Sequence, residues 1–69
     1  MASIYEKLGN NIKRLRIKNG FKQEALAEKD RIDLTTLSEL ESGLRNTSVR
    51  TLNRIALALN TSIKELFNF

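Results

Sequence analysis

"KQEALAEKDRIDLTTLSELES", residues 22–42, holds two short runs with helical spacing of apolar residues, separated by "RID" at 31–33. Leu26 and Ala27 supply the apolar face of the first run, and Leu37 and Leu40 that of the second. Asp33 stands where an N-cap is needed, and its carboxylate is expected to accept from the first-turn amides at the positive end of the helix dipole. Thr35, Thr36 and Ser38 then crowd the opening turns. Threonine and serine are poorer helix formers than Ala, Leu or Glu, so stability alone does not account for them. Either they assist Asp33 in capping, or this surface must come closer to something than long side chains would allow.

Working outward, Ile4, Leu8, Ile12 and Leu15 recur on one face of a first helix that Gly20 is placed to end. Thr47 or Ser48 can cap a fourth helix with Val49, Leu52, Ile55, Ala56 and Leu59 as its buried stripe, and Asn60 as a left-handed stop. "SIKE", residues 62–65, has the spacing of a capping box that opens a fifth helix with Leu66 facing the core. The chain has no Pro, no strand pattern, no repeat and no low-complexity segment. The expected fold is all-α, a compact bundle of five short helices in one domain over residues 1–69. A folded chain of this size buries only about 60% of the surface its unfolded form exposes, which leaves no room for a large internal active site.

Composition narrows the chemistry. With no Cys and no His there is no disulfide framework, zinc-type cluster, thiol nucleophile or imidazole base. A Gly-rich phosphate loop is also missing, so an enzyme is not expected, nor is a cofactor, metal or small-molecule ligand. No apolar run approaches the length of a membrane span, and "MASIYEKLGNN" is not a signal peptide, so a soluble protein of the cytoplasm or nucleoid is expected. The net charge of +4 arises wholly in the first part of the chain: residues 1–29 carry seven bases against three acids, while the rest is balanced. Such a basic excess suits a polyanion such as DNA through phosphate neutralisation. It equally suits a solvated helix face.

Two short helices joined by a tight turn match the geometry in which one helix crosses the DNA backbone and the next lies in the major groove. Hydroxyls on the second would then approach base edges and phosphates closely. The run from Lys22 to Leu66 resembles the helix-turn-helix domain of the lambda repressor-like (Xre/Cro) family. It does so through Gln23, Leu26-Ala27, Leu37, Ser38, Leu40, Glu41, Gly43 and the ending "IALALNTSIKEL". The sequence departs from the family pattern at Lys22, where a Ser or Thr cap is usual, at Asp30 in place of an apolar residue, at Arg31 in place of a turn Gly, and at Thr47 in place of a frequent Pro. A non-Gly residue at positive φ costs about 1 kcal/mol, so Arg31 either accepts that strain or the turn relaxes; its charge lies beside Asp30 and Asp33.

The resemblance implies sequence-specific binding of double-stranded DNA by a transcription regulator acting as a homodimer. It puts Gln23 at the start of the second helix near a phosphate or base, and Leu34, Thr35, Thr36, Ser38 and Glu39 on the groove side of the third. Leu34 would touch a thymine methyl or staple the turn; Glu39 would accept from a cytosine amino group or act as a filter. Lys13, Arg14, Lys18, Lys22, Arg45, Asn46 and Arg50 are the candidate backbone contacts, and Arg16 is expected to reach Glu41 in a partly buried ion pair. "ESGLRNTSVRTL" further resembles restriction-modification controller proteins, with a phage-type repressor or an antitoxin as sub-readings. A helical protein-interaction module or anti-repressor on the same fold is the alternative class. In "SIKELFNF", residues 62–69, Ile63, Phe67 and Phe69 are more apolar surface than so short an end buries alone, and they form the expected dimer interface on a near-palindromic operator. The opposing possibility is that Phe67 folds back and Phe69 frays.

Overall fold

The computed structural model describes residues 2–69 and contains five helices: α1 (Ile4–Lys18), α2 (Gln23–Asp30), α3 (Leu34–Glu41), α4 (Val49–Ala58) and α5 (Ile63–Leu66). No strand occurs among the described residues, in keeping with the expected all-α bundle. The first four helices are each followed by a residue in the left-handed region: Gly20 (φ 78°), Arg31 (φ 54°), Gly43 (φ 77°) and Asn60 (φ 57°). Each turn then closes with the next amide reaching back over the helix end, as Phe21 N–H donates to Arg16 O at 3.1 Å and Ile32 N–H to Ala27 O at 3.0 Å. Arg31 therefore accepts the left-handed conformation that Gly would adopt without strain. Its charge is not what steadies the turn: Asp30 pairs instead with Arg54 of α4.

The N-termini differ from expectation in three places. Ser3 and Glu6 form a reciprocal capping box at α1, both bonds 3.1 Å, on the S-x-x-E spacing of "SIYE". Asp33 occupies the N-cap of α3, but its carboxylate makes no capping bond. Ser62 likewise caps α5 by position only, without the box; α5 is one turn long, and Glu65 N–H is taken by the Ser62 carbonyl at 3.0 Å. Ser48 does cap α4, accepting from Thr51 N–H at 3.1 Å.

Leu8, Ile12, Leu15, Leu26, Leu37, Leu40, Leu52, Ile55, Leu59 and Leu66 meet in one core, with Phe21, Ile32 and Ile63 packed against its edge. Ile4 and Val49 do not join it, being 57% and 70% exposed. Both are the first residue of their helix, so their side chains lie beyond the last layer of neighbours and flank an apolar surface groove instead. α1 packs on α3 and α5, while α2 packs on α3 and α4. The α1–α3 approach is set by Gly9: a Cβ there would lie 2.6 Å from the Glu41 carbonyl oxygen. At Gly43 a Cβ would lie 2.7 Å from Glu6 Cα, so this turn needs Gly for space as well as for its φ.

Candidate nucleic-acid interface

α3 buries Leu37, Leu40 and Glu41, which leaves the opposite side of the helix outward. Thr35 and Glu39, four residues apart, crown that side, with half-buried Thr36 and Ser38 at its margins. Leu34 remains exposed at the first turn and does not staple the core. The hydroxyls do not cap α3, because neither they nor Asp33 bond to its first-turn amides. Stability of the helix end is thus not their explanation.

The back of α3 is fastened by a buried charge pair. Arg16 Nε donates to Glu41 Oε2 at 2.7 Å and Nη2 to Oε1 at 3.1 Å, a two-pronged contact, while Nη1 donates to the Phe21 carbonyl at 2.8 Å. Gln23 adds a fourth bond, its Nε2 donating to Glu41 Oε1 at 3.0 Å. One carboxylate therefore ties α1 and α2 to α3, and Arg16 holds the loop after α1. Gln23 sits half-buried at the start of α2 with one amide N–H given to this network, so its second N–H and its carbonyl oxygen remain for an outside partner.

The candidate backbone contacts do not share one surface. Lys13 lies four residues after Gly9 and three before Arg16, on the flank of α1 that meets α3. Arg14 and Lys18 follow the opposite flank, that of Asn11 and α5. Arg14 donates to Asn11 Oδ1 through Nε at 3.0 Å and Nη2 at 2.7 Å, and Asn11 Nδ2 donates to the Glu65 and Leu66 carbonyls, both at 2.8 Å. Lys22 is exposed at the N-cap of α2, Arg45 and Asn46 in the α3–α4 connection, and Arg50 in the first turn of α4. Arg45 is paired with Glu39 at 2.8 Å.

Asn11 and Tyr5 were not singled out in the sequence, and Asp30 stood out there only as a departure from the family pattern. Asn11 is a buried amide inside an apolar stripe, and that interruption was its only signal. Asp30 is buried and faces Arg54: Arg54 Nε lies 3.7 Å from Oδ1 and its Nη2 donates to the Asp30 carbonyl, while Oδ2 has no hydrogen-bond partner among the described residues. Burial pushes the Asp30 carboxyl above its ordinary value, opposed by the Arg54 charge. Tyr5 lines a shallow polar cleft with Glu39, Gly43, Leu44, Arg45 and Asn46 beside the end of α3.

At the C-terminus, Ile63 is half-buried against the core. Phe67 and Phe69 stay 42% and 55% exposed, their ring centroids 6.5 Å apart. No helix is long and apolar enough to cross a membrane among the described residues.

Comparison with known proteins agrees with this geometry. A helix-turn-helix family model matches residues 12–66. The chain is 36% identical over 69 residues to control protein C.MunI of a Mycoplasma species, covering 99% of this chain and 93% of that protein. Its fold is similar to that of the restriction-modification controller protein C.AhdI from Aeromonas hydrophila, with a TM-score of 0.88 at 33% identity over 91% of this chain and 96% of that one. It is also similar to the clp gene regulator ClgR from C. glutamicum, with a TM-score of 0.92 at 30% identity over 96% of this chain and 85% of that one. With α2, the turn at Arg31 and α3 as its two-helix unit, the chain belongs to the helix-turn-helix family of Xre-like DNA-binding transcription regulators.

Proposed function

We propose that the chain, as a single domain over residues 1–69, binds a near-palindromic double-stranded operator as a homodimer and regulates transcription in the cytoplasm with α3 in the major groove. The observation that carries this reading is the outward side of α3: Thr35, Thr36, Ser38 and Glu39 are polar, short or mid-length, unused by capping, and held rigidly from behind by Arg16, Gln23 and Glu41. Leu34 beside them suits a thymine methyl. Lys13, Lys22, Asn46 and Arg50 are the backbone contacts the geometry favours, with Lys18 and the Asn11-bound Arg14 turned toward α5. Dimerisation through Phe67, Phe69 and the edge of Ile63 is supported by the uncovered rings, and by Ile4 and Val49, which line one groove with Phe67 and widen the apolar surface there. The likeness to two controller proteins favours control of restriction-modification genes over a phage-type repressor or antitoxin.

Selection of bound sites from a random duplex library, followed by gel shifts over a salt series, tests the proposal. An enriched site with inverted half-sites is expected, with log affinity falling by about 0.9 per log unit of salt for each phosphate contact. Lys22→Ala should lower that slope and Lys18→Ala should leave it unchanged. Failure to enrich any sequence would point to the interaction-module class instead.

A further inference from the structure

Glu39 and Arg45 meet at the outer end of α3. Arg45 Nε and Nη2 both donate to one Glu39 oxygen, Oε1, at 3.1 and 2.8 Å. Glu39 Oε2 and Arg45 Nη1 have no hydrogen-bond partner among the described residues, and the two side chains are 37% and 47% exposed. The Gly43 turn creates this meeting: Leu44 N–H donates to the Glu39 carbonyl at 2.9 Å, which brings the following Arg45 back beside the helix.

A lone carboxylate at the DNA-facing side of α3 would be repelled by phosphates, whereas the Glu39–Arg45 pair is neutral as a unit. What the pair leaves open is a row of donors on the free end of the guanidinium next to one carboxylate acceptor. A G·C pair shows the complementary row in the major groove: the guanine N7 and O6 acceptors, then the cytosine N4 donor. An A·T pair shows acceptor, donor, acceptor, and does not match. Resting on the proposed placement of α3 in the groove, we infer that Glu39 and Arg45 read one G·C pair together, Arg45 donating to guanine and Glu39 accepting from cytosine. Arg45 is then a specificity residue rather than a phosphate contact, and its charge is already spent on Glu39 when DNA arrives.

The experiment is site selection from a random duplex library with the wild type, Glu39→Gln, Arg45→Ala and Arg45→Lys, with a thermal melt of each. A G·C preference at one position of each half-site is expected in the wild type. All three variants should lose it at that same position by about 5- to 100-fold while keeping their other preferences and their melting temperatures. Lysine keeps the charge without the planar fork, so its failure to restore the preference separates base reading from phosphate attraction. An unchanged base profile in Arg45→Ala, with affinity lowered for all sequences alike, would overturn the inference and leave the proposed function standing. A wild type that selects no sequence at all would overturn both.

Discussion

Arg31 holds a left-handed backbone at φ 54° in the turn between α2 and α3, a conformation that costs a side-chain-bearing residue roughly 1 to 2 kcal/mol. The exposed side chain neither caps α2 nor pairs with Asp30, so the turn gains nothing from it beyond the backbone bonds that Gly would also make. Arg31→Gly should therefore stabilise the fold by about 0.5 to 1 kcal/mol, after the greater chain entropy of unfolded Gly is counted, and raise the melting temperature by several degrees. One residue earlier, Asp30 carries its charge in a buried place with one oxygen unpartnered. Its carboxyl lies above its ordinary 3.8 in the folded state, so the folded form binds the proton more readily than the unfolded one. Stability from this group thus rises as pH falls through the folded value, and the gain is complete below 3.8. Relative to Asp30→Asn, the wild type should gain melting temperature between about pH 7 and pH 4. A difference that stays constant over that range would show that Asp30 titrates as it does in the unfolded chain.

Among the elements, α3 is short and has neither a side-chain N-cap nor a basic last turn, so its order depends on what lies behind it. Glu41 supplies that through Arg16 and Gln23, and Gly9 lets α1 come close enough for the pair to form. Removing one partner of a buried ion pair typically costs about 3 to 5 kcal/mol, because the other charge is left unpaired in the interior. For a domain of this size that is a large part of the total stability. Glu41→Ala should accordingly unfold the protein cooperatively near or below room temperature when followed by far-ultraviolet circular dichroism. A melt within a few degrees of the wild type would mean that the pair does not hold α3. α5, a single turn, depends in the same way on Asn11, whose amide satisfies two of its carbonyls.

For the whole molecule, the two functions proposed lie on different parts of the surface: α3 faces outward on one flank of α1, and α5 with its phenylalanines packs on another. A second copy joined through α5 would leave both α3 helices free, and half-sites about 34 Å apart follow from one turn of B-form DNA. Sedimentation at about micromolar concentration should show a wild-type dimer, and the Phe67→Ala, Phe69→Ala double variant should be monomeric with weakened binding to the full operator. Both rings are substantially exposed, so the variant should keep the fold of the monomer. A wild type that stays monomeric both free and on its selected site would exclude this assembly.

What the sequence determined by itself was local and periodic. Apolar spacing marked the first four helices, Gly20 and Asn60 marked two of the stops, a capping-box spacing that the fold does not use marked the fifth, and the run from Lys22 to Leu66 carried the family. Those features follow from backbone geometry and a repeat of 3.6 residues, which a linear chain displays directly. Tertiary structure alone decided where each helix ends relative to its neighbours, which leaves Ile4 and Val49 outside a core that their spacing would have included. It also chose the partners of charged and polar groups, Asp30 with Arg54 and Asn11 with the end of α5. Such pairings depend on distances between segments far apart in the chain. Several arrangements would satisfy the same charges equally well in one dimension, and only packing selects among them.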